Sequence, residues 1–443
     1  MKQQHFDVKL AQLVAGIVAL FIILLPFHAF LTVWASSLVG HYTALRLWKE
    51  AFLAVAAVAA VYLSFRTPTI RRSLMTDWLW RLIAAYGFVM IMWGIVAYAS
   101  GAVTRKAVLY GELVDLRLFV ILFVAFVAAQ LVSWLYRIWA KLVLGPATLV
   151  IAIGLLQQFI LPYDVMKHFG YSAATIPPYE TIDHKVSYIR IRSTLRGANL
   201  LGGYLIIVMS QVLQRLIKRR TRRWLSTVLL VVTLVVLYGS GSRGAWLGAV
   251  AAAVVMAGLQ FTSRRAKRLA MLGAGLCIAA LAGAVIVLRN NDYVQNTIFH
   301  TDEHSQSSVS SNTAHFDASF TAAKQVIHEP LGRGPGTAGP AGVYNTGHPA
   351  RIAEDYFLQI GQEAGWLGLG LFIAVYALLA RKLWQLRHLP LAQILLASFA
   401  GLTVLALLMH SWTDDTLAYL WFSLTGIALA QPVKRMKSRE KVA

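Results

Sequence analysis

Apolar runs recur from one end of the chain to the other, separated by short polar segments. Twelve of them approach the ~17–25 residues that a helix needs to cross a bilayer. They fall near 10–33, 50–65, 78–100, 117–135, 139–160, 198–217, 224–239, 244–261, 269–288, 356–380, 389–410 and 416–431. The second, seventh and twelfth are the shortest. Leu10–Val33 is too long for a signal-peptide core and lacks a small-residue cleavage site, so it reads as an uncleaved first helix. The predicted fold is an all-α polytopic membrane protein of about 12 transmembrane helices, a single integral membrane domain over 1–443 with no internal repeat.

Two of the polar segments are long, roughly 161–197 and 289–352. Long loops in compact proteins are usually functional. The second, between spans nine and ten, is the large extracytoplasmic loop and is expected to contain short helices. Within it, Ala314–Glu329 predicts a helix capped by Asn312 or Thr313, with Phe316, Phe320, Ala323 and Ile327 at spacings of three and four. The Ser-rich stretch Ser305–Ser311 before it predicts a flexible lead-in.

Composition sharpens the class. Of 443 residues, 58% are hydrophobic and 14% charged, and mean hydropathy is +0.61. A soluble domain is nearer half apolar and a quarter charged, which excludes an ordinary cytosolic enzyme and a disordered tail. The single cysteine, Cys277, makes neither an internal disulfide nor a thiolate zinc site. The net charge of +22 would suggest nucleic acid in a soluble protein. Here most lysines and arginines gather in alternate loops, among them Arg66–Arg81, Arg215–Arg223, Arg264–Arg268, Arg381–Arg387 and the tail from Lys434. The positive-inside rule makes that side cytoplasmic, with both termini in. The excess is a topology signal, and no nucleic-acid partner is expected.

Against this background, some polar residues stand where lipid would not want them. Arg190, Arg192, Arg196 and Asn199 lead directly into the sixth span. Arg190 and Arg192 alternate with Ile189 and Ile191, as in an extended segment. Arginine grips phosphate bidentately and keeps its charge; the alternative is snorkelling to headgroups. Tyr238–Gly248 joins spans seven and eight almost without a loop and places Arg243 at membrane depth, where a polar residue is a functional candidate by default. Leu331–Gly339 looks superficially like a phosphate-cradling loop, but no strand precedes it, and an ordered turn after a helix is the plainer expectation. Glu354 and Asp355 open the tenth span. They complement a helix N-terminus or supply a general base. His315 and His348 are further candidate bases, and His410–Asp415 adds Asp414 and Asp415 on the same side. His28, beside Pro26, reads as a core residue at a kink. No histidine or carboxylate spacing calls for a metal, and no cofactor is expected.

In order and topology, Arg192–Tyr204, Ser242–Gly248, Pro330–Gly339 and Glu354–Gly368 resemble the O-antigen ligase and O-antigen polymerase superfamily over roughly 185–370. The resemblance implies a metal-independent, inverting glycosyltransferase of the cytoplasmic (inner) membrane. It would move a glycan from undecaprenyl diphosphate to an acceptor hydroxyl, an acceptor glycan or lipid, on the outer face. It also implies that Arg192 and Arg243 hold the diphosphate and that Asn199 matches the Asn of the first block. Ligases that load lipid A core carry His-Asn where this chain has Glu354-Asp355, which leaves polymerase, or ligase to another acceptor, open. A transporter of lipid-linked glycan and a non-catalytic scaffold are the other classes compatible with the chain. A transporter would concentrate polar residues near the midplane.

Overall fold

The computed structural model describes residues 2–182, 185–218, 223–260, 311–349 and 351–431, with isolated positions between 265 and 295. The expected ninth span at 269–288 and most of the Ser-rich lead-in fall outside these segments. Helices α1 (Lys2–Leu24), α2 (His28–Val39), α3 (Tyr42–Arg46), α4 (Trp48–Arg66), α5 (Pro68–Thr76), α6 (Trp78–Ala99), α7 (Arg105–Leu131) and α8 (Trp134–Phe159) precede a short hairpin. Its strands, β1 (Glu180–Ile182) and β2 (Lys185–Arg190), are antiparallel and pair Glu180 with Arg190. Then follow α9 (Ala198–Lys218), α10 (Arg223–Gly239), α11 (Arg243–Gln260), α12 (Ser311–His328), α13 (Tyr356–Gln385), α14 (Pro390–Ala406) and α15 (Asp415–Leu429).

Seven described helical segments are long and apolar enough to cross a bilayer: Gln3–Val39, α4, α6, α8, α9, α11 and α13. Helices α10 and α14 are apolar but shorter, at 17 residues each. Helix α7 has the length, 27 residues, but carries Glu112, Asp115 and Arg117 in its first half. The chain is thus a polytopic, mainly helical membrane protein. The figure of twelve spans remains an expectation of the sequence.

Helix α15 is the axis of the bundle. Its residues 416–429 are buried around the whole circumference, as a helix apolar on every face requires. It packs against α7, α1 and α9. At the break between α1 and α2, Pro26 removes a backbone donor and bends the chain. Carbonyls freed at membrane depth need partners. Thr194 Oγ1 donates to the Pro26 carbonyl at 2.8 Å, and Thr416 Oγ1 donates to that of Leu25 at 3.0 Å. The break therefore anchors both the arginine segment and the start of α15. His28 is buried there as expected, accepting from Trp48 Nε1 at 2.9 Å. Its Nε2 faces Asp415, which pairs with Arg117 and, at 3.2 Å, with Lys49.

The helix expected at 314–329 forms as α12, but it turns the other way. Phe316, Phe320 and Ile327 are exposed, while Ala322 and Val326 are buried. Val326 packs against Gly361 of α13, and its carbonyl accepts from Trp366 Nε1 at 2.7 Å. Gln362 Nε2 donates to Gln325 Oε1 at 2.6 Å. The small residues meet the bundle because they permit close approach, and polar links fix the register. The larger apolar side chains are left facing outward.

Candidate functional site

The site gathers where four connecting segments meet: 190–199, the turn before α11, the approach to α13 and the turn before α15. Strand β2 delivers Arg190 extended, in agreement with the Ile–Arg alternation. Beyond it the backbone leaves the strand, and Ser193 adopts a left-handed conformation (φ 51°). Gln157 holds that bend from both sides. Its Oε1 accepts from the Ser193 amide at 2.8 Å, and its Nε2 donates to the Ser193 carbonyl at 3.2 Å. Arg192 and Arg196 consequently do not share a helical face.

Arg190 lies across the α10–α11 turn. Its Nε donates to the Ser240 carbonyl at 2.9 Å and its Nη2 to Asn199 Oδ1. The side chain passes over Gly241, where a Cβ would meet Arg190 Cγ at 3.1 Å. The glycine's φ of +59° independently disfavours any side chain. The same turn starts α11 at Arg243. Burial lowers the proton affinity of the Arg190 guanidinium; Glu180 opposes this, while Arg243 and Arg192 add to it. Arginines 192, 190 and 243 therefore form one cationic wall. Arg192 is 3% exposed and pairs with Glu180 at 3.5 Å. Arg196 is exposed and stands apart, lining a narrow cleft with Arg46, His28 and Asp414.

His315 of α12 meets Glu354, with Nδ1 and Oε2 3.2 Å apart. Glu354 has φ 52°, a conformation that costs a non-glycine residue of order 1–3 kcal/mol. Hydrogen bonding to Glu354 raises the His315 pKa, against burial and the nearby Arg243. The same bond lowers that of Glu354. His410 lies next to the pair, and burial holds its pKa below the usual histidine value. Its Nδ1 is buried with no hydrogen-bond partner among the described residues. A side chain from an extramembrane helix, one from the α13 approach and one from the α15 approach thus converge.

The remaining candidates are engaged differently. Asp355 caps α13, accepting from the Leu358 amide at 2.8 Å. Asp414 caps α15, accepting from the Leu417 amide at 3.1 Å, and burial pushes its pKa up to about 6. His348 is exposed on the loop before α13, where its amide donates to the Asn345 carbonyl at 3.2 Å. The glycine-rich segment 331–339 is an ordered structure whose inward amides already have an acceptor. The amides of Gly336 and Ala338 donate to Glu363 Oε1 at 2.9 and 3.2 Å. Gly336 (φ +88°) packs so closely that a Cβ would collide with the Ala107 carbonyl of α7. Among the described residues, no group of three or more His, Cys, Asp or Glu side chains is placed to hold a metal.

Sequence reasoning did not single out Glu180 or Glu363. Glu180 lies in an ordinary polar loop; the hairpin register sets it opposite Arg190, and the Arg192 side chain, two residues on, pairs with it. Glu363 stood inside a recognised motif, but its partners are backbone amides, which no side-chain spacing reports.

Residues 228–373 match the model of the O-antigen ligase family. The match supports the O-antigen ligase and polymerase superfamily that the motifs resemble. It contains Arg243, His315, Glu354 and Glu363, while the Arg190–Asn199 segment precedes it. No curated protein matches the chain.

Proposed function

We propose that the chain transfers a glycan from a polyprenyl (undecaprenyl) diphosphate carrier to an acceptor hydroxyl at the outer face of the cytoplasmic membrane. The observation that carries this reading is the His315–Glu354 pair standing beside Arg243 inside the ligase-like segment. In this reading Arg190 and Arg243 hold the carrier diphosphate, Asn199 keeps Arg190 in place, and Arg192 lies behind them. Arg196, exposed at the edge, meets the incoming anion. Preorganised cations aimed at a leaving diphosphate stabilise the charge that develops on it.

His315 presents Nδ1 to Glu354, so the tautomer with its proton on Nδ1 leaves the Nε2 lone pair free. Nε2 takes the acceptor hydroxyl proton while the acceptor oxygen attacks the anomeric carbon. The bond from that carbon to the diphosphate oxygen breaks, and its electron pair leaves with the diphosphate. One displacement inverts the anomeric centre. No step in this scheme calls on a metal, because the arginines carry the neutralising charge. Loss of histidine at position 354 is offset here by an imidazole supplied from α12, with Glu354 as its orienting carboxylate.

The test is transfer by purified protein in lipid nanodiscs, with undecaprenyl-diphosphate glycan and a panel of acceptors. Transfer by the wild type that is lost in Arg243→Ala, with thermal unfolding unchanged, is the expected result. The acceptor that works separates ligase from polymerase. Binding of the carrier without transfer to any acceptor would overturn the enzyme reading in favour of transport.

A further inference from the structure

The guanidinium of Arg192 has a feature that the transfer scheme does not use. Its Nη1 and Nη2 are buried without a hydrogen-bond partner among the described residues. A buried donor left unpaired costs roughly 1–3 kcal/mol, so such groups call for an explanation. Arg192 lines a cleft of about 210 Å³ together with Gln158, Tyr163, Tyr179 and Arg190. The side chains of Gln158, Tyr163 and Tyr179 are exposed. The two tyrosine rings meet edge to face, with centroids 5.1 Å apart.

We propose that this cleft is a saccharide subsite that takes one neutral, hydroxyl-rich sugar ring of a glycan substrate. The proposal rests on the glycan-transfer reading and deepens it. Three properties point to a sugar. Sugar hydroxyls need donors and acceptors in a small space; the exposed Gln158 amide supplies both at the mouth, and the Arg192 guanidinium forms the polar floor of the cleft. The C–H faces of a pyranose are apolar and weakly positive, which suits the electron-rich faces of Tyr163 and Tyr179. Charge in the cleft is also partly offset. Glu180 sits 3.5 Å from Arg192, and Ser240 and Asn199 engage the Arg190 Nε and Nη2. The cleft therefore offers hydrogen bonds in a reduced positive field, which suits sugar hydroxyls. Interfacial tyrosines commonly anchor a protein in lipid. These two instead stand on a connecting loop and line a cleft that reaches a buried arginine.

The occupant belongs either to the donor glycan or to the acceptor, since both are saccharides. The experiment separates the two. Wild-type protein in nanodiscs is titrated separately with the lipid-free oligosaccharide released by mild acid from the carrier-linked glycan and with the acceptor saccharide that works in the transfer assay, and binding is read by saturation-transfer NMR. Wild type binds, whereas Tyr163→Ala, Tyr179→Ala and Gln158→Ala each weaken binding about tenfold, near 1.4 kcal/mol. Tyr163→Phe, which keeps the ring, retains binding and controls for folding. Arg243→Ala also retains it. In the transfer assay, the same alanine variants raise KM for the donor or for the acceptor, and the substrate affected identifies the occupant. Failure of both saccharides to bind wild type, or equal binding to the alanine variants, would overturn the subsite. Those results leave the transferase reading standing, because wild-type transfer is scored separately.

Discussion

Glu354 and Glu363 lie nine residues apart in one recognised motif, yet the structure treats them oppositely. Glu363 is wholly buried and accepts two backbone amides from the glycine-rich loop. Glu354 is partly exposed, sits in a left-handed conformation and faces an imidazole. One carboxylate completes a fold, and the other is held in a costly posture that the fold does not need. Strain of this kind, beside a buried His410 Nδ1 with no hydrogen-bond partner among the described residues, is what the proposed role of Glu354 as an orienting carboxylate would account for. Both segments are rich in glycine and charge, so sequence pattern alone does not rank them. The ranking comes from where the hydrogen bonds go.

The sharpest way to break the comparison is to exchange the consequences of the two carboxylates. Glu363→Ala leaves two loop amides buried without an acceptor and frees the loop from α13. The expected cost is about 2–3 kcal/mol, the range for buried donors left without an acceptor, read as a lower unfolding temperature in nanodiscs and poor yield. Gly336→Val should act similarly, since its side chain has no space against α7. Wild-type-like unfolding of both variants would show that the loop is not a structural joint. Arg243→Ala should do the reverse, lowering transfer by roughly 10²–10³-fold while unfolding stays within the error of wild type.

Next in size is the imidazole–carboxylate pair. His315→Gln and Glu354→Gln should each lower the rate of transfer by about 10²-fold, the usual worth of a positioned base. Their double variant should be little worse than either, because residues that act as a unit are non-additive. The pH profile separates the two roles. The base must be neutral at Nε2, so activity rises with pH through the His315 pKa, which Glu354 holds above 6.5. Glu354→Gln removes that support, and the residual activity should shift its acid limb to lower pH. For stability the sign is opposite. A histidine with a raised folded-state pKa stabilises below the unfolded value, and that contribution fades as pH rises through the folded value.

Much of the scaffold was legible in the sequence because membrane insertion writes long apolar runs. The kink at Pro26, the helix at 311–328 and the sharp turn before Arg243 follow from local residue chemistry. What sequence pattern missed was orientation. The spacing of Phe316, Phe320 and Ile327 marks a real stripe on α12, but the bundle accepts the smaller face of Ala322 and Val326. Tertiary fit decided which side packs. The arginines were legible as residue types, yet their division of labour was not. The hairpin register sets Glu180 opposite Arg190, within ion-pair reach of Arg192, and a glycine turn brings Arg190 to the neighbourhood of Arg243.

The smallest expected effect concerns the other acids. Asp355 and Asp414 carry the charge and position that suit a base, but each accepts an amide two or three residues onward and caps a helix. Asp355→Asn and Asp414→Asn keep a capping oxygen, so unfolding should change little. Asp355→Ala and Asp414→Ala should cost about 1 kcal/mol each, the usual value of a lost cap. Transfer, measured where the protein is fully folded, should fall less than threefold in all four. A hundredfold loss in Asp414→Asn with stability intact would move the proton acceptor from α12 to the turn before α15. Glu354 would then be strained for some purpose other than holding the base. Because Asn preserves the cap and removes the proton-accepting charge, that one substitution separates an acid that builds a helix from one that works on substrate.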